Sequence, residues 1–322
     1  MLAIQATRAG GPEVLEAIDA PVRQPQAGQI RVGHRAVGLN FIDTYQRSGL
    51  YPMTFPLVLG QEASGVVEAV GEGVTLFVPG DRVAYAGQIG AYAQSHVIAA
   101  DRAVRLPDGV SFETAAAGLL KGMTAEFLLR RCHKTQPGET ILVHAAAGGV
   151  GSILVQWAKA IGARVIGTVG SSAKAELARE LGCDHVVLYH DEDVPAAVRA
   201  ITGGAGVSVV YDSVGKDTFD ASLASLARRG LFVSFGNASG PVPAFEPLRL
   251  SRAGSVFFTR PTLFDYVATT AELDDSAAAL FALIADGRVR IEIGQTFPLA
   301  EARQAHEALE SRRTIGASLL IP

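Results

Sequence analysis

Between Gly138 and Gly151 the sequence reads Gly-Glu-Thr-Ile-Leu-Val-His-Ala-Ala-Ala-Gly-Gly-Val-Gly, an apolar run that enters a stretch of small residues. The residues that follow, with Val150, Leu154, Trp157, Ala158 and Ile161 at helical spacing, make the segment a strand, a tight turn and a helix. The first amides of such a helix lack intrahelical partners, and its positive dipole end is a ready site for a pyrophosphate. As a GxGxxG pattern the positions are Ala146, Gly148 and Gly151, so alanine replaces the first glycine. A close-packed turn without a ligand is the alternative. The neighbourhood argues against it, because apolar runs recur at Val165–Val169, Val186–Leu188, Val207–Tyr211, Leu231–Phe235 and Ser255–Phe258. With Ile141–Val143 these are six strands, and helically patterned segments separate the first five. Continuous apolar strands alternating with helices predict a parallel sheet covered on both faces, the doubly wound dinucleotide fold.

The first hundred residues are written differently. Short alternating runs at Gln29–Ala36, Gly65–Val70, Asp81–Tyr85 and Ser95–Ile98, broken by Gly and Pro, predict antiparallel strands in a barrel or sandwich. Phe112–Arg131 reads as a helix, with a possible interruption at Lys121-Gly122. After the sixth apolar run come a helix near Leu273–Asp286, a strand near Gly294–Phe297, a helix over Ala300–Ser311 and a closing strand Ser318–Ile321. That tail is too short to fold alone. We expect it to complete the β-rich part, so that residues 1–122 and 261–322 form one domain and 123–260 an inserted nucleotide-binding domain.

Composition narrows the chemistry. The 322 residues carry a formal net charge of −4 with no basic tract, which argues against nucleic acid or an anionic membrane as a partner. Two cysteines, Cys132 and Cys183, are too few for a disulfide scaffold or a four-cysteine zinc site. No apolar stretch is long enough to span a bilayer, and a cytoplasmic location is expected. There is no GxSxG elbow for a hydrolytic serine, and the seven histidines form no metal-ligand spacing. His144 is expected to be a hydrogen-bonded structural residue, and Trp157 a core residue.

Cofactor choice turns on the end of the second strand, where an NAD-selecting site offers Asp or Glu to the ribose 2′-hydroxyl. Here the sequence is Val169-Gly170-Ser171-Ser172-Ala173-Lys174. A carboxylate about 4 Å from a 2′-phosphate would cost roughly 4 kcal/mol at an effective dielectric near 20. Its absence, with donors at Gly170 and Ser171 and a cation at Lys174, favours NADPH. An ordinary solvated helix lysine is the other reading of Lys174.

At these residues the chain resembles the zinc-independent branch of the medium-chain dehydrogenase/reductase superfamily, and most closely the bacterial NADPH:quinone oxidoreductases and zeta-crystallins. The resemblance is carried by the glycine loop through Gln156 and Lys159, by Gly60-Gln61-Glu62-Ala63-Ser64-Gly65, and by Pro79-Gly80-Asp81-Arg82-Val83. Gly38-Leu39-Asn40-Phe41-Ile42-Asp43-Thr44-Tyr45, Ser234-Phe235-Gly236-Asn237 and Leu309-Glu310-Ser311-Arg312 extend it over nearly the whole chain. It implies a GroES-like, mainly β catalytic domain built from both chain ends, a six-stranded Rossmann domain, and a homodimer joined through the last Rossmann strand near Ser255–Thr259. Zinc enzymes of this type would carry Cys where Asn40 stands and His where Gln61 stands. Neither amide suits catalytic Zn²⁺, so no metal is expected, and the acceptor should be electrophilic enough to take electrons without a Lewis acid.

By the same resemblance Asn40, Tyr45 and Tyr51 line the acceptor pocket, and Phe41, Ile42, Asp43, Tyr45 and Thr124 lie along the nicotinamide half of the cofactor. Both tyrosines also read as core-edge residues; Lys121, with Thr124 where the first domain passes into the second, reads either as close to the expected cleft or as a surface charge. Ala147, Gly148, Gly149 and Val150 form the pyrophosphate turn. Tyr189 and Arg312 are implied at the adenosine end, although an arginine there equally suits a helix terminus. Ser213, Phe235, Gly236, Phe257 and Thr259 fall at or just past strand ends, where open α/β sheets bind ligands. The function expected is NADPH-dependent quinone reduction. Reduction of enone or alkenal double bonds, with Tyr45 or Tyr51 as proton donor, and an NADPH-gated RNA-binding or structural role are the alternatives.

Overall fold

The computed structural model describes residues 1–311 and 314–322. Its chain divides into two compact units, one of Met1–Lys121, Val267–Ala285 and Ile291–Pro322, the other of Gly122–Tyr266 with Asp286–Arg290.

The first unit begins with β1 (Leu2–Ala6), β2 (Leu15–Asp19) and the long β3 (Gln29–Leu39), then α1 (Phe41–Ser48) and β4 (Leu57–Val58). It continues with β5 (Glu62–Val70), β6 (Arg82–Ala86), β7 (Ser95–Ala99), β8 (Ala103–Arg105) and the start of α2 (Phe112–Phe127). β2, β1 and β4 make a small antiparallel sheet. β3 is the spine of a larger one, pairing antiparallel with β5 and β7. Alternation puts Ile30, Val32 and Val67 inside, where they join Ile4, Leu59, Tyr85 and Tyr92 in the core.

The second unit runs β9 (Thr140–Val143), α3 (Gly149–Ile161), β10 (Arg164–Val169), α4 (Ser172–Glu180), β11 (His185–Leu188), α5 (Val194–Ile201) and β12 (Val207–Asp212). Then follow α6 (Phe219–Ser225), β13 (Leu226–Ser234), α7 (Leu248–Arg252), β14 (Phe257–Thr259) and α8 (Leu263–Tyr266). All five pairings in this sheet are parallel, in the order β11-β10-β9-β12-β13-β14. The strand order reverses between β9 and β12, so that is where a doubly wound sheet opens a crevice. Leu142, Ile166, Val187, Val210 and Phe232 fill one core of this unit.

The last segments, α9 (Thr270–Ala285), β15 (Ile293–Pro298), α10 (Ala302–Glu310) and β16 (Ala317–Ile321), return to the first unit. β16 pairs antiparallel with β3, and β15 lies parallel to β16.

Two local expectations need correction. α2 passes through Lys121-Gly122 without a break, and its irregularity is a π turn at Leu128–Cys132. A single glycine costs a helix about 1 kcal/mol, and fully buried neighbours such as Leu119, Met123 and Ala125 more than offset it. β14 starts at Phe257 rather than Ser255, because Ser255 has φ of 56°, which no strand residue adopts. No helix among the described residues is long and apolar enough to cross a membrane.

Candidate active site

In the second unit, Ala145 takes a left-handed φ of 51° and turns the chain sharply after β9. Its carbonyl accepts the Gly148 amide at 2.8 Å, while the Ala146 amide donates to Thr168 O at 3.1 Å, locking the turn to β10. α3 opens at Gly149, with the Ser152 amide donating to Gly148 O at 2.8 Å as its first helical bond. The amides of Gly149, Val150 and Gly151 therefore stand at the helix entrance, and Gly148 at the N-cap offers no side-chain cap. A Cβ on Gly151 would lie 2.2 Å from Ala145 O, so only glycine lets helix and turn pack this closely. Ala147 is buried beneath the turn.

Under this turn His144 is buried between Thr168 Oγ1 at 2.9 Å and Ser222 Oγ at 3.0 Å. Ser222 Oγ also donates to Asp212 Oδ2 at 2.7 Å. Burial holds the imidazole below its ordinary pKa. His144 is thus a structural tie between β9, β10 and α6. Asp212 accepts from the Val214 and Gly215 amides through Oδ1 and from Thr218 and Ser222 through Oδ2.

Most of the other second-unit candidates lie at or just past the carboxyl ends of these strands; Phe257 opens β14 at its amino end, and Thr124 lies on α2. Gly170 follows β10, and a Cβ there would lie 2.4 Å from the Tyr189 hydroxyl, so the tyrosine tip rests on the glycine. Ser171 caps α4, its hydroxyl accepting the Lys174 amide at 3.4 Å. Lys174 is half-buried, and burial lowers its pKa. Ser213 and Gly236 meet backbone to backbone, since a Cβ on Gly236 would lie 2.4 Å from Ser213 O. Phe235 donates its amide to Asp212 O at 2.8 Å. Phe257 stands 62% exposed on the edge strand β14, and Thr259 ends that strand. Thr124 is buried on α2. Arg312 lies outside the described residues.

In the first unit the polar residues converge on Glu62, which is completely buried. Its Oε1 accepts the Leu120 amide at 2.6 Å, and its Oε2 accepts both Asn40 Nδ2 at 2.9 Å and Lys121 Nζ at 3.3 Å. Lys121 is 5% exposed, so the surface-charge reading is wrong. The sequence did not reveal this ion pair, because its partners are separated by 59 positions and meet only when α2 packs on β5.

Asn40 is also the N-cap of α1, and its amide donates to Asp43 Oδ2 at 2.9 Å. Asp43 is completely buried, and the same oxygen accepts the Tyr92 hydroxyl at 3.0 Å. Its carboxylate therefore holds the start of α1. Tyr92 Oη in turn meets His306 Nε2 at 2.9 Å, and His306 Nδ1 meets Arg47 Nη1 at 2.9 Å. A guanidinium only donates, so His306 must carry its proton on Nε2 and pass a donor to Tyr92. Arg47 is anchored by Glu310 at 2.7 Å. Burial raises Asp43 to about 7 and lowers His306 to about 3, so this histidine is neutral. On the same helix Tyr45 is buried and its ring meets Tyr51 edge-on at 5.4 Å, while Phe41 and Ile42, in the first turn, are half-buried.

Two family models match: the alcohol dehydrogenase GroES-like domain over residues 26–108 and the zinc-binding dehydrogenase over 149–282. A quinone oxidoreductase of Pseudomonas aeruginosa is 54% identical over 321 residues, covering 99% of both chains. The chain belongs to the quinone oxidoreductases of the medium-chain dehydrogenase/reductase family. A 2-haloacrylate reductase of a Burkholderia species is 44% identical over 97% of this chain and 96% of its own. The structure of Escherichia coli quinone oxidoreductase complexed with NADPH superimposes with a TM-score of 0.99 at 49% identity over all of both chains.

The zinc in the second model's description does not fit this family member's own donors. Asn40 and Gln61 offer amides, and both oxygens of Glu62 already accept hydrogen bonds. Among the described residues no three His, Cys, Asp or Glu side chains group as a metal site.

Proposed function

We propose that this oxidoreductase reduces quinones with NADPH, with the Rossmann unit holding the cofactor and the GroES-like unit, built from both chain ends, supplying the acceptor's surroundings. Full-length identity of 54% to a quinone oxidoreductase carries the reading. The second unit fits the cofactor on its own evidence. Gly151 lets the backbone come close, the amides of residues 149–151 stand at a helix entrance, and Lys174 with the Gly170 and Ser171 donors suits a 2′-phosphate. Tyr189, with its hydroxyl on Gly170, suits the adenosine end, and Ser213, Phe235, Gly236 and Thr259 lie at or just past the carboxyl ends of their strands, whereas Phe257 opens β14 at the opposite end.

When bound, NADPH supplies a hydride. The protein's part is orientation and charge. Asn40 donates its backbone N–H to Asp43 and its side-chain Nδ2 to Glu62, so the residue is fixed before any ligand arrives. Tyr45 and Tyr51 offer aromatic surface to a flat ring. We also infer a homodimer through β14, the edge strand on which Phe257 is exposed.

Steady-state NADPH oxidation against a panel of ortho-quinones, para-quinones and enones tests the assignment. Turnover with quinones is expected. Turnover with enones alone would favour double-bond reduction, the reading to which the 44% identical 2-haloacrylate reductase lends support.

A further inference from the structure

We propose that the Lys121 ammonium, oriented by Glu62 beside the Asn40 amide, is the donor that holds the substrate oxygen on which negative charge develops. This deepens the quinone-reduction reading and rests on it.

The geometry supplies the argument. Glu62 Oε2 is shared by Asn40 Nδ2 and Lys121 Nζ, so these two donors are neighbours across one oxygen. Glu62 Oε1 is taken by the Leu120 amide. Among the described residues Glu62 is the only acceptor for Lys121, which leaves two of the three ammonium N–H groups without one. The side chain is only 6% exposed, so those two donors have little access to bulk water. Buried donors left without acceptors are rare and costly, and their usual explanation is function. The 3.3 Å separation from Glu62 is also longer than a tight charge-assisted bond, so Glu62 aims the cation without capturing it fully.

A purely structural role explains the pair poorly. Buried ion pairs are often neutral or unfavourable for stability compared with apolar replacements. Position matters as well. Asn40 begins the helix that carries Tyr45, and Tyr45 meets Tyr51, so cation, amide and aromatic faces belong to one neighbourhood of the first unit.

The chemistry balances without a metal. A reduced nicotinamide dinucleotide gives one hydride, so the quinone gains two electrons and one hydrogen. The second hydrogen is a solvent proton. Until that proton arrives an oxygen carries negative charge, and a preorganised ammonium in a poorly hydrated site stabilises it. Acceptors whose reduced oxygen is more basic should depend on Lys121 most.

The test compares Lys121→Met/Glu62→Gln, which removes both charges together and leaves no buried charge unpaired, with Lys121→Arg, which keeps the cation. Two measurements apply. In the first, kcat of the double variant should fall about a hundredfold, with the dissociation constant for NADPH unchanged and the loss steeper for weakly electrophilic quinones. Lys121→Arg should retain more activity than the double variant. In the second, without cofactor, 4-nitrophenol serves as an oxyanion probe. The wild-type protein should bind it as the coloured phenolate at a pH where the double variant binds it as the phenol. Equal kcat and equal nitrophenol spectra for wild type and double variant would overturn the proposal. Failure of the wild type to oxidise NADPH with any quinone would instead refute quinone reduction, and the nitrophenol spectra would still report on Lys121.

Discussion

Replacing Gly151 with alanine puts the cofactor turn under a defined load. The new methyl carbon would start 2.2 Å from Ala145 O and 3.0 Å from Ala146 Cα, both backbone atoms. An ordinary carbon–oxygen approach is roughly 3.3 Å, so the carbonyl or the helix must retreat by about 1 Å. That carbonyl also accepts the Gly148 amide at 2.8 Å, a bond the retreat would break. Overpacking costs about 1–3 kcal/mol and the lost hydrogen bond about 1 kcal/mol, while alanine returns up to about 1 kcal/mol of helix propensity. The net loss is about 1–3 kcal/mol, a fall in melting temperature of roughly 2–12 °C for a unit of this size. Because the shift re-aims the amides of residues 149–151, NADPH should bind at least about tenfold more weakly. Gly148→Ala is the control. Its added carbon starts 3.1 Å from Ala145 O, at a φ of −83° that alanine readily adopts, so stability should change by less than about 1 kcal/mol. Thermal melts and fluorescence titration with NADPH measure both quantities. A Gly151→Ala protein that melts and binds like the wild type would refute the close-packing argument.

Lys174→Ala should raise KM for NADPH by about ten- to a hundredfold while changing KM for NADH less than about threefold; equal effects on the two cofactors would remove Lys174 from the phosphate site. Asp43 has a folded-state pKa raised from 3.8 to about 7 by burial, so the folded state binds the proton more tightly and this group's contribution to stability falls as pH rises from about 4 to 7. Buried His34 and His306 and half-buried His96, lowered to about 4, 3 and 4, act in the opposite sense below their ordinary value. The Asp43 effect is therefore read as the difference between wild type and Asp43→Asn: melts from pH 4 to 8 should show the variant gaining on the wild type as pH rises, and a pH-independent difference would refute it. Phe257→Glu should convert the proposed dimer to monomer in light scattering, without a fall in the melting temperature of the monomeric unit beyond that caused by dilution.

The parallel sheet was legible because each of its strands is apolar along its whole length, which only burial on both faces permits. The glycine turn was legible for a related reason: small residues between strand and helix leave few other conformations. Boundaries were less legible, since the left-handed Ser255 and the uninterrupted helix at Gly122 depend on packing. The first-unit site was the least legible. Asp43 stands in a polar and aromatic segment that only the family resemblance sets beside the cofactor. Its actual partners, Asn40 and Tyr92, are 3 and 49 positions away, and the chain beyond Tyr92 reaches His306, another 214 positions on. Lys121 carried no periodic signal at all, and only its pairing with Glu62 distinguishes it from a surface lysine.

The two units solve one problem in the same way. Asp212 receives four donors across its two oxygens, and Glu62 receives three. A carboxylate whose two oxygens are already engaged in this way is a poor general base, because most of its lone pairs already accept hydrogen bonds. What it does well is fix the donors around it. In the second unit those are the turn residues that follow β12 and the Ser222–His144 tie beneath the cofactor loop. In the first they are Asn40 and Lys121. In the first unit the groups left available beside Glu62 are thus oriented donors and a cation rather than a free carboxylate.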